Sequence, residues 1–426
     1  MYIKEVVIDN IQCFKKAVIS LSKDGKPCLL DVILGDNSAG KSCFLRCIAI
    51  GLNDQSTAAT LMQSLGVDFL RDKNKEGTIE ITLIDNESNK EIIVTTKIDR
   101  ERDVEIIKDK SVDRDESKLW KRLFLCGYGI QRSGEGTESY REYKRLEALL
   151  SLFDYYASSQ NIELILLRQP EKMQKKILEM VLEVLMLKEK GWTFEVTNKG
   201  LKVTLNDKEV MLDALGDGYS SSATWIIDFI GWQIYADRLI NADGLKEISG
   251  IVLLDELELT LHPSLQRNIV KNLKEQFPNV QFIVTSHSPI IAAGVTDFSH
   301  SKLLAFKFEN GETRVIDEIP SLQGMSVDQV LSSVAFGLFT TVSVGTVDNI
   351  RRFSELMSKR RNEEEEQEYL TLMKSIEEKS HSGTTEAERQ IEKAVTKTLE
   401  DMLEIKPPKE LELLMKEKLK RLSSGV

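Results

Sequence analysis

Four short stretches of this sequence carry residue types that could act on a polyphosphate. Gly35-Asp36-Asn37-Ser38-Ala39-Gly40-Lys41-Ser42 fits the spacing G-x-x-x-x-G-K-[ST]. Glycine lets the backbone turn its N–H groups toward phosphate oxygens with no Cβ in the way, and a helix starting at Lys41 adds the partial positive charge of its N-terminus. Lys41 is then expected to reach the β- and γ-phosphates and Ser42 to offer its hydroxyl to Mg²⁺, which makes residues 35–42 the expected ATP-binding loop. Ile251-Val252-Leu253-Leu254-Asp255-Glu256 is an apolar strand ending in two carboxylates, a costly place for charge unless a cation or water is held there. Asp255 is expected to help hold Mg²⁺, and Glu256 to orient and polarise the attacking water as general base. Glu258, two residues on, reads as structural or exposed.

His287 follows another apolar strand in Thr285-Ser286-His287-Ser288-Pro289. A lone histidine is more often a satisfied structural residue. Its place one predicted strand beyond Asp255 and Glu256 makes it a candidate to donate to a γ-phosphate or the attacking water. His262, in Leu261-His262-Pro263, reads equally as a contact at a dimer interface or with its own backbone. The fourth stretch, Leu215-Gly216-Asp217-Gly218-Tyr219-Ser220-Ser221-Ser222, stands before an apolar helix containing Trp225, Ile226, Ile227, Phe229 and Ile230. A glycine turn with hydroxyls before a helix is either an ordinary cap or a second anion site. One nucleotide cannot use two anion sites on opposite faces. Two protomers meeting head to tail across two nucleotides resolve that conflict, each helix start capping the other's γ-phosphate.

The elements that must position these groups are legible as apolar runs bounded by turn signals. Strands are expected at Ile3 to Ile8, Cys28 to Leu34, Thr78 to Ile84, Glu91 to Ile98, Leu123 to Gly127, Gly250 to Leu254 and Val280 to Ser286. Helices are expected at Lys41 to Leu52, Ser221 to Ile240 and Ser264 to Gln276. That alternation predicts an α/β sheet with a parallel core, and the runs at Thr78 and Glu91, with Asp85 to Asn89 between them, predict an antiparallel hairpin. A mainly helical insertion is expected at about 139–190, followed by a β pair, Trp192 to Thr197 with Leu201 to Asn206. A further hairpin is expected from Lys302 to Phe308 with Thr313 to Ile319.

Beyond residue 319 the composition shifts, and from about Asp348 the chain is highly charged, with an acidic run at Glu363 to Glu366. Ile391, Ala394, Val395, Thr398 and Met402 follow helical spacing behind a capping box of Thr385 and Glu388, and a last helix is expected at Glu410 to Leu422 after Pro407 and Pro408. The region 319–426 is therefore expected to be helical, either folded on the core or serving as an arm for assembly or partner binding.

Length and composition exclude several alternatives. A chain of 426 residues, 41% hydrophobic and 29% charged, can bury a sizeable core without staples. Its five cysteines, Cys13, Cys28, Cys43, Cys47 and Cys126, are spread thinly and fit reduced thiols in the cytoplasm. Cys43 and Cys47 lie four apart, but no second pair joins them as metal ligands. No run of apolar residues is long enough to span a membrane. A net charge of -11 argues against a uniformly basic surface that coats DNA, while leaving a local basic patch open.

Taken in order, these motifs resemble the ABC-type ATPase heads of SMC, RecF and OLD proteins. The resemblance covers residues 1–318: Phe14 in an N-terminal strand, Walker A at 35–42, a Q-loop candidate in Gly127-Tyr128-Gly129-Ile130-Gln131-Arg132, the signature at 215–222, Walker B at 251–256, the D-loop Leu261 to Pro263 and the switch histidine His287. Asp255-Glu256-Leu257-Glu258-Leu259-Thr260-Leu261-His262-Pro263 is similar to the D-E-x-x-x-x-L-H-P form of the OLD-like branch. Within it, Gly127-Tyr128-Gly129 and residues 321–331 resemble PtuA-like ATPases of Septu and some retron anti-phage systems.

The resemblance implies an α/β, ABC-type P-loop NTPase head with a mixed sheet over residues 1–318, with ATP and Mg²⁺ as cofactors. Gln131 is implied as a contact to nucleotide and Mg²⁺, alongside Ser42 and Asp255. Leu215, Gly216, Asp217, Gly218, Tyr219 and Ser220 are implied to act in trans. Family signatures usually place serine where this chain has Gly216, so a hydroxyl is missing there, and either hydrolysis is slow or Ser220 to Ser222 substitute. The implied function is an ATP-hydrolysing regulatory subunit of a cytoplasmic anti-phage complex. Head dimerisation would control a separate nuclease, an HNH endonuclease similar to PtuB, and DNA would be met through the complex. No nuclease chemistry is evident in the chain: the region beyond His287 lacks the strand-borne acids of a Toprim domain, and His287, His300 and His381 lack HNH or zinc spacing. The alternative is a RecF- or SMC-like repair ATPase that grips DNA directly, although the span from Ser42 to Leu215 is too short and interrupted for a long coiled coil.

Overall fold

The computed structural model describes residues 1–113, 116–132, 140–197, 200–205, 208–295, 300–338, 352–353, 355–356 and 362–379. Two compact units divide the chain, Met1–Phe339 and Thr340–Val426, so the first unit continues past the expected boundary at 318.

The first unit opens with the antiparallel pair β1 (Tyr2–Ile11) and β2 (Phe14–Ser20). A short ribbon, β3 (Ser22–Lys23) with β4 (Lys26–Pro27), leads to β5 (Leu30–Gly35), followed by helices α1 (Lys41–Gly51) and α2 (Gln55–Ser64). Three strands follow, β6 (Gly77–Ile84), β7 (Glu91–Glu101) and β8 (Val104–Val112), then α3 (Glu116–Arg122) and β9 (Leu125–Tyr128). Helices α4 (Ile162–Leu167) and α5 (Glu171–Val184) fall in the expected helical insertion, and β10 (Thr193–Thr197), β11 (Gly200–Leu205) and β12 (Lys208–Met211) form a small antiparallel sheet. The long helix α6 (Asp217–Tyr235) precedes β13 (Ser249–Leu254), α7 (Pro263–Gln276), β14 (Asn279–Ser286) and α8 (Pro289–Val295). The hairpin β15 (Ser301–Glu309) and β16 (Glu312–Ile316), with α9 (Val327–Leu331), completes the described part of this unit.

Two large sheets result. One is antiparallel, in the order β2-β1-β6-β7-β8. The other runs β16-β15-β5-β14-β13-β9, parallel except for the edge strand β16. Alternation along the parallel strands explains the layering. Ile33, Leu253, Ile283 and Leu304 join one core with α1 and the inner face of the antiparallel sheet. Their neighbours Val32, Leu34, Val252, Leu254, Phe282 and Val284 join a second core with α5, α6 and α7. Strands covered on both faces need apolar centres, which is how Val32–Leu34 of β5, Ile251–Leu254 of β13 and Phe282–Val284 of β14 read. Helix α1 lies between the sheets, with Phe44, Leu45, Cys47 and Ile48 buried. Helix α6 is buried from Ser222 to Gln233, as a helix apolar around most of its circumference requires.

The expected hairpin of β6 and β7 is present, with Ile84 opposite Glu91. Several elements were not expected, among them three strands of the antiparallel sheets. β2 and β8 flank the antiparallel sheet, and β12 turns the expected β10–β11 pair into a three-stranded sheet. Helix α6 also starts at Asp217 and ends at Tyr235, against an expected span of Ser221 to Ile240. Among the described residues no helix is long and apolar enough to cross a membrane.

In the second unit the acidic run opens a helix, Glu363–Lys379. Asn362 Oδ1 accepts from Glu365 N at 2.8 Å, and carboxylates in a first turn suit the positive end of the helix dipole. The expected helices around residues 385–402 and 410–422, with their capping box, lie outside the described residues.

Candidate nucleotide site

The loop after β5 is held from its outer side before it turns into α1. Gly40, the N-cap, sits at φ 95, and a Cβ there would stand 2.5 Å from Cys13 Sγ and 2.9 Å from Thr313 Oγ1. Glycine is required on both counts, conformation and space. Thr313 donates through Oγ1 to Ala39 O (2.9 Å) and through its backbone N–H to Cys13 O (2.9 Å), so β16 ties the loop to the β1–β2 turn. A cleft of about 270 Å³ is lined by Gln12, Cys13, residues 37–43, Glu256 and His287. The sequence gives no sign of Gln12 and Cys13, because only folding brings the β1–β2 turn to the loop.

Lys41 is buried, and its Nζ donates to Gly35 O (2.8 Å), Asp36 O (3.1 Å) and His287 Nε2 (2.8 Å). An ammonium has only donors, so His287 accepts at Nε2 and carries its ring proton on Nδ1. Burial holds the lysine pKa below its ordinary value, opposed first by Asp255 and then by Glu256 and Glu258. His287 Nε2 lies 3.9 Å from Glu256 Oε1. A lysine, a carboxylate and an imidazole thus converge on one cleft.

The ends of β13 and β14 are knitted together. Thr285 Oγ1 donates to Asp255 Oδ1 (2.6 Å) and accepts from Glu256 N (2.7 Å), while Leu257 N donates to Thr285 O (3.0 Å). Glu256 itself adopts φ 50. Asp255 is buried and does not line the cleft, whereas Ser42 does. A hydroxyl and an enclosed carboxylate are hard oxygen donors that fit Mg²⁺, which keeps several of its waters. Bound there, the ion would neutralise charge on the β- and γ-phosphates.

Arg132 is a further site residue that the motif pattern does not reveal. Buried beyond the end of β9, it donates Nε to Gly129 O (2.8 Å) and Nη2 to both Asp255 O and Glu256 O, the latter at 2.9 Å. Burial lowers its pKa to about 10, opposed first by Asp255. This clamp fixes the left-handed turn that aims Glu256. Gln131, beside it, is half-buried and is not part of the cleft lining. Tyr128, at the end of β9, donates its hydroxyl to Asp228 Oδ2 on α6 (2.8 Å), which joins the parallel sheet to the helix that follows the glycine turn.

None of residues 215–222 lines this cleft of their own chain. Gly216 is the N-cap of α6 at φ 97, and Asp217 to Ser220 form its first turn. Gly218 packs on the turn after β13, where a Cβ would come 2.3 Å from Thr260 O. Of the two roles open to His262, the structure shows the local one. Its Nδ1 accepts from Ser264 N (3.2 Å) and caps α7.

The profile of a family described as "AAA ATPase domain" matches residues 138–292. The chain is 26% identical over 400 residues to "Septu protein PtuA" of Bacillus mycoides strain KBAB4, covering 92% of this chain and 53% of that protein. It is 30% identical over 155 residues to "Retron Vc95 probable ATPase" of Vibrio cholerae serotype O1 biovar El Tor, 35% of this chain and 28% of that protein. The chain therefore spans about half the length of the first relative and less of the second. Among solved structures, the SMC head bound to the C-terminal winged-helix domain of ScpA aligns with a TM-score of 0.50 at 14% identity, over 74% of this chain and 97% of that one. The fold is that of an SMC-like ATPase head.

Proposed function

We propose that this chain, an ABC-like ATPase head related to PtuA and to retron ATPases, binds and hydrolyses ATP as the regulatory subunit of a cytoplasmic anti-phage defence complex. The carrying observation is the convergence of Lys41, Glu256 and His287 on one cleft walled by residues 37–43. In this reading the phosphates displace Gly35 O, Asp36 O and His287 Nε2 as acceptors for Lys41. Glu256 takes the proton of the attacking water, and His287, freed from Lys41, faces the γ-phosphate. The residues that start α6 lie outside this cleft, which supports completion of the site by a second copy. Nucleotide then closes pairs of heads, and the region beyond residue 319 holds further copies or a separate nuclease of the HNH class.

Light scattering or mass photometry with and without Mg-ATP tests the reading, alone and with any nuclease encoded beside the gene. Glu256→Gln should accumulate the closed dimer, and Lys41→Ala should lose nucleotide binding. Turnover unchanged in both variants removes the assigned roles. A chain that stays monomeric, ignores the nuclease and binds duplex DNA in a salt-sensitive way belongs to the repair class instead.

A further inference from the structure

The bonds between the β13 and β14 ends include one that the ATPase motifs do not account for. β14 ends at Ser286, paired with Leu34 of β5, so the His287 N–H has left the ladder and needs another acceptor. Glu258 supplies it: Oε1 accepts from His287 N. A carboxylate on a backbone N–H makes a charge-assisted bond, stronger than a carbonyl would make. The other oxygen, Oε2, is enclosed and has no hydrogen-bond donor among the described residues, a costly arrangement for a residue that only fills space. Lys41 and Arg132 both feel the charge of Glu258, which places this carboxylate among the groups of the site.

The structure assigns Glu258 the role of a positioning residue: its carboxylate fixes the backbone of His287 to the turn that carries Glu256, so that the general base and the switch histidine move as one piece. This inference rests on the ATPase reading above for its kinetic consequence, but not for its geometry. Thr285 bonds the same turn through Asp255 and Glu256, and Glu258 extends the tie to the residue whose ring faces the cleft. Without it the ring of His287 keeps its contact with Lys41 but loses the anchor that sets its distance from the general base.

Two readouts test the assignment. In steady-state ATP hydrolysis, Glu258→Ala should lower kcat about tenfold or more while KM stays within about twofold, since misplacement acts on the transition state rather than on binding. Glu258→Gln retains an acceptor oxygen and should recover the larger part of kcat. A Gln variant as inactive as Glu256→Gln would make Glu258 an acid, base or metal ligand, and an Ala variant with wild-type kcat would leave it no role; either result overturns the proposal. The second readout needs no activity. In protein labelled with ¹⁵N-histidine, which has four histidines, the backbone amide signal removed by His287→Ala should lie downfield of the others and move upfield in Glu258→Ala. If wild type fails to hydrolyse ATP but the amide moves, the ATPase reading falls and the anchor stands; if the amide does not move, the anchor falls.

Discussion

At the scale of single residues, the site depends on charges kept away from water, and one of them makes a pH signature. Asp228, buried on α6, accepts from Tyr128 and from both the backbone and side-chain N–H groups of Gln160. Burial outweighs these donors and raises its carboxyl to about 6. A carboxyl whose folded pKa exceeds its unfolded value keeps a proton that the unfolded chain has already lost. Its stabilising contribution is full below the unfolded value, about 4, and is lost as the pH rises through 6. Asp228→Asn removes this dependence. Thermal unfolding at pH 5 and at pH 7.5 should therefore show the variant gaining on wild type by on the order of 1 kcal/mol at the higher pH, whatever constant offset the altered hydrogen bonds add. A constant difference across that range would show that Asp228 does not titrate there. Residue-level legibility followed chain distance. Lys41, Glu256 and His287 stand in contiguous motifs and could be named from the sequence. Arg132 and Glu258 could not be given their parts, because their partners are backbone atoms 123 and 29 residues away and a main-chain atom leaves no mark in a motif.

Elements show the same division between local and distant causes. Strands β5, β13 and β14 were legible because burial on both faces leaves nearly unbroken apolar runs. β8 was not, since Ile107 is its only fully enclosed residue and the charged remainder reads as a loop. The sequence pattern puts the start of α6 four residues late because its first turn, Asp217 to Ser220, contains an aspartate, a glycine and a serine, which favour caps and turns. Tertiary contact decides the matter: Gly218 is pressed on the Thr260 carbonyl, and that close approach anchors the helix start to the turn after Walker B. The two glycines here should therefore respond for different reasons. Gly216→Ala meets no neighbour, but φ 97 with ψ 147 is a backbone region almost confined to glycine, at a cost of about 1–3 kcal/mol that falls on the cap alone. Gly218→Ala must move one backbone away from another, at a cost of about 2–3 kcal/mol. Denaturant unfolding checks the second, and a Gly218→Ala loss below about 0.5 kcal/mol, the range of an ordinary surface change, would mean that the helix start is not held by that turn.

At the scale of the whole molecule, assembly follows in the proposed reading from the start of α6 standing outside the cleft that the loop before α1 lines. The loop before α1 lines the cleft with Glu256 and His287, while none of the residues that start α6 does. If each active site joins the first loop of one copy to the second helix of another, two defective chains should rescue each other. Lys41→Ala disables the phosphate loop and leaves residues 215–222 intact. Ser220→Glu does the reverse: an acid in the first turn suits the helix dipole and spares the fold, yet it repels a γ-phosphate presented by a partner. In a mixed dimer, one site combines both defects and the other has neither. Equal amounts of two variants that are inactive alone should therefore recover roughly a quarter of wild-type ATP turnover per chain, from random pairing in a two-fold symmetric dimer. Turnover that never exceeds the sum of the separate variants would place the whole site within one chain. The start of α6 would then be a cap for its own helix, and head closure would lose its connection to ATP.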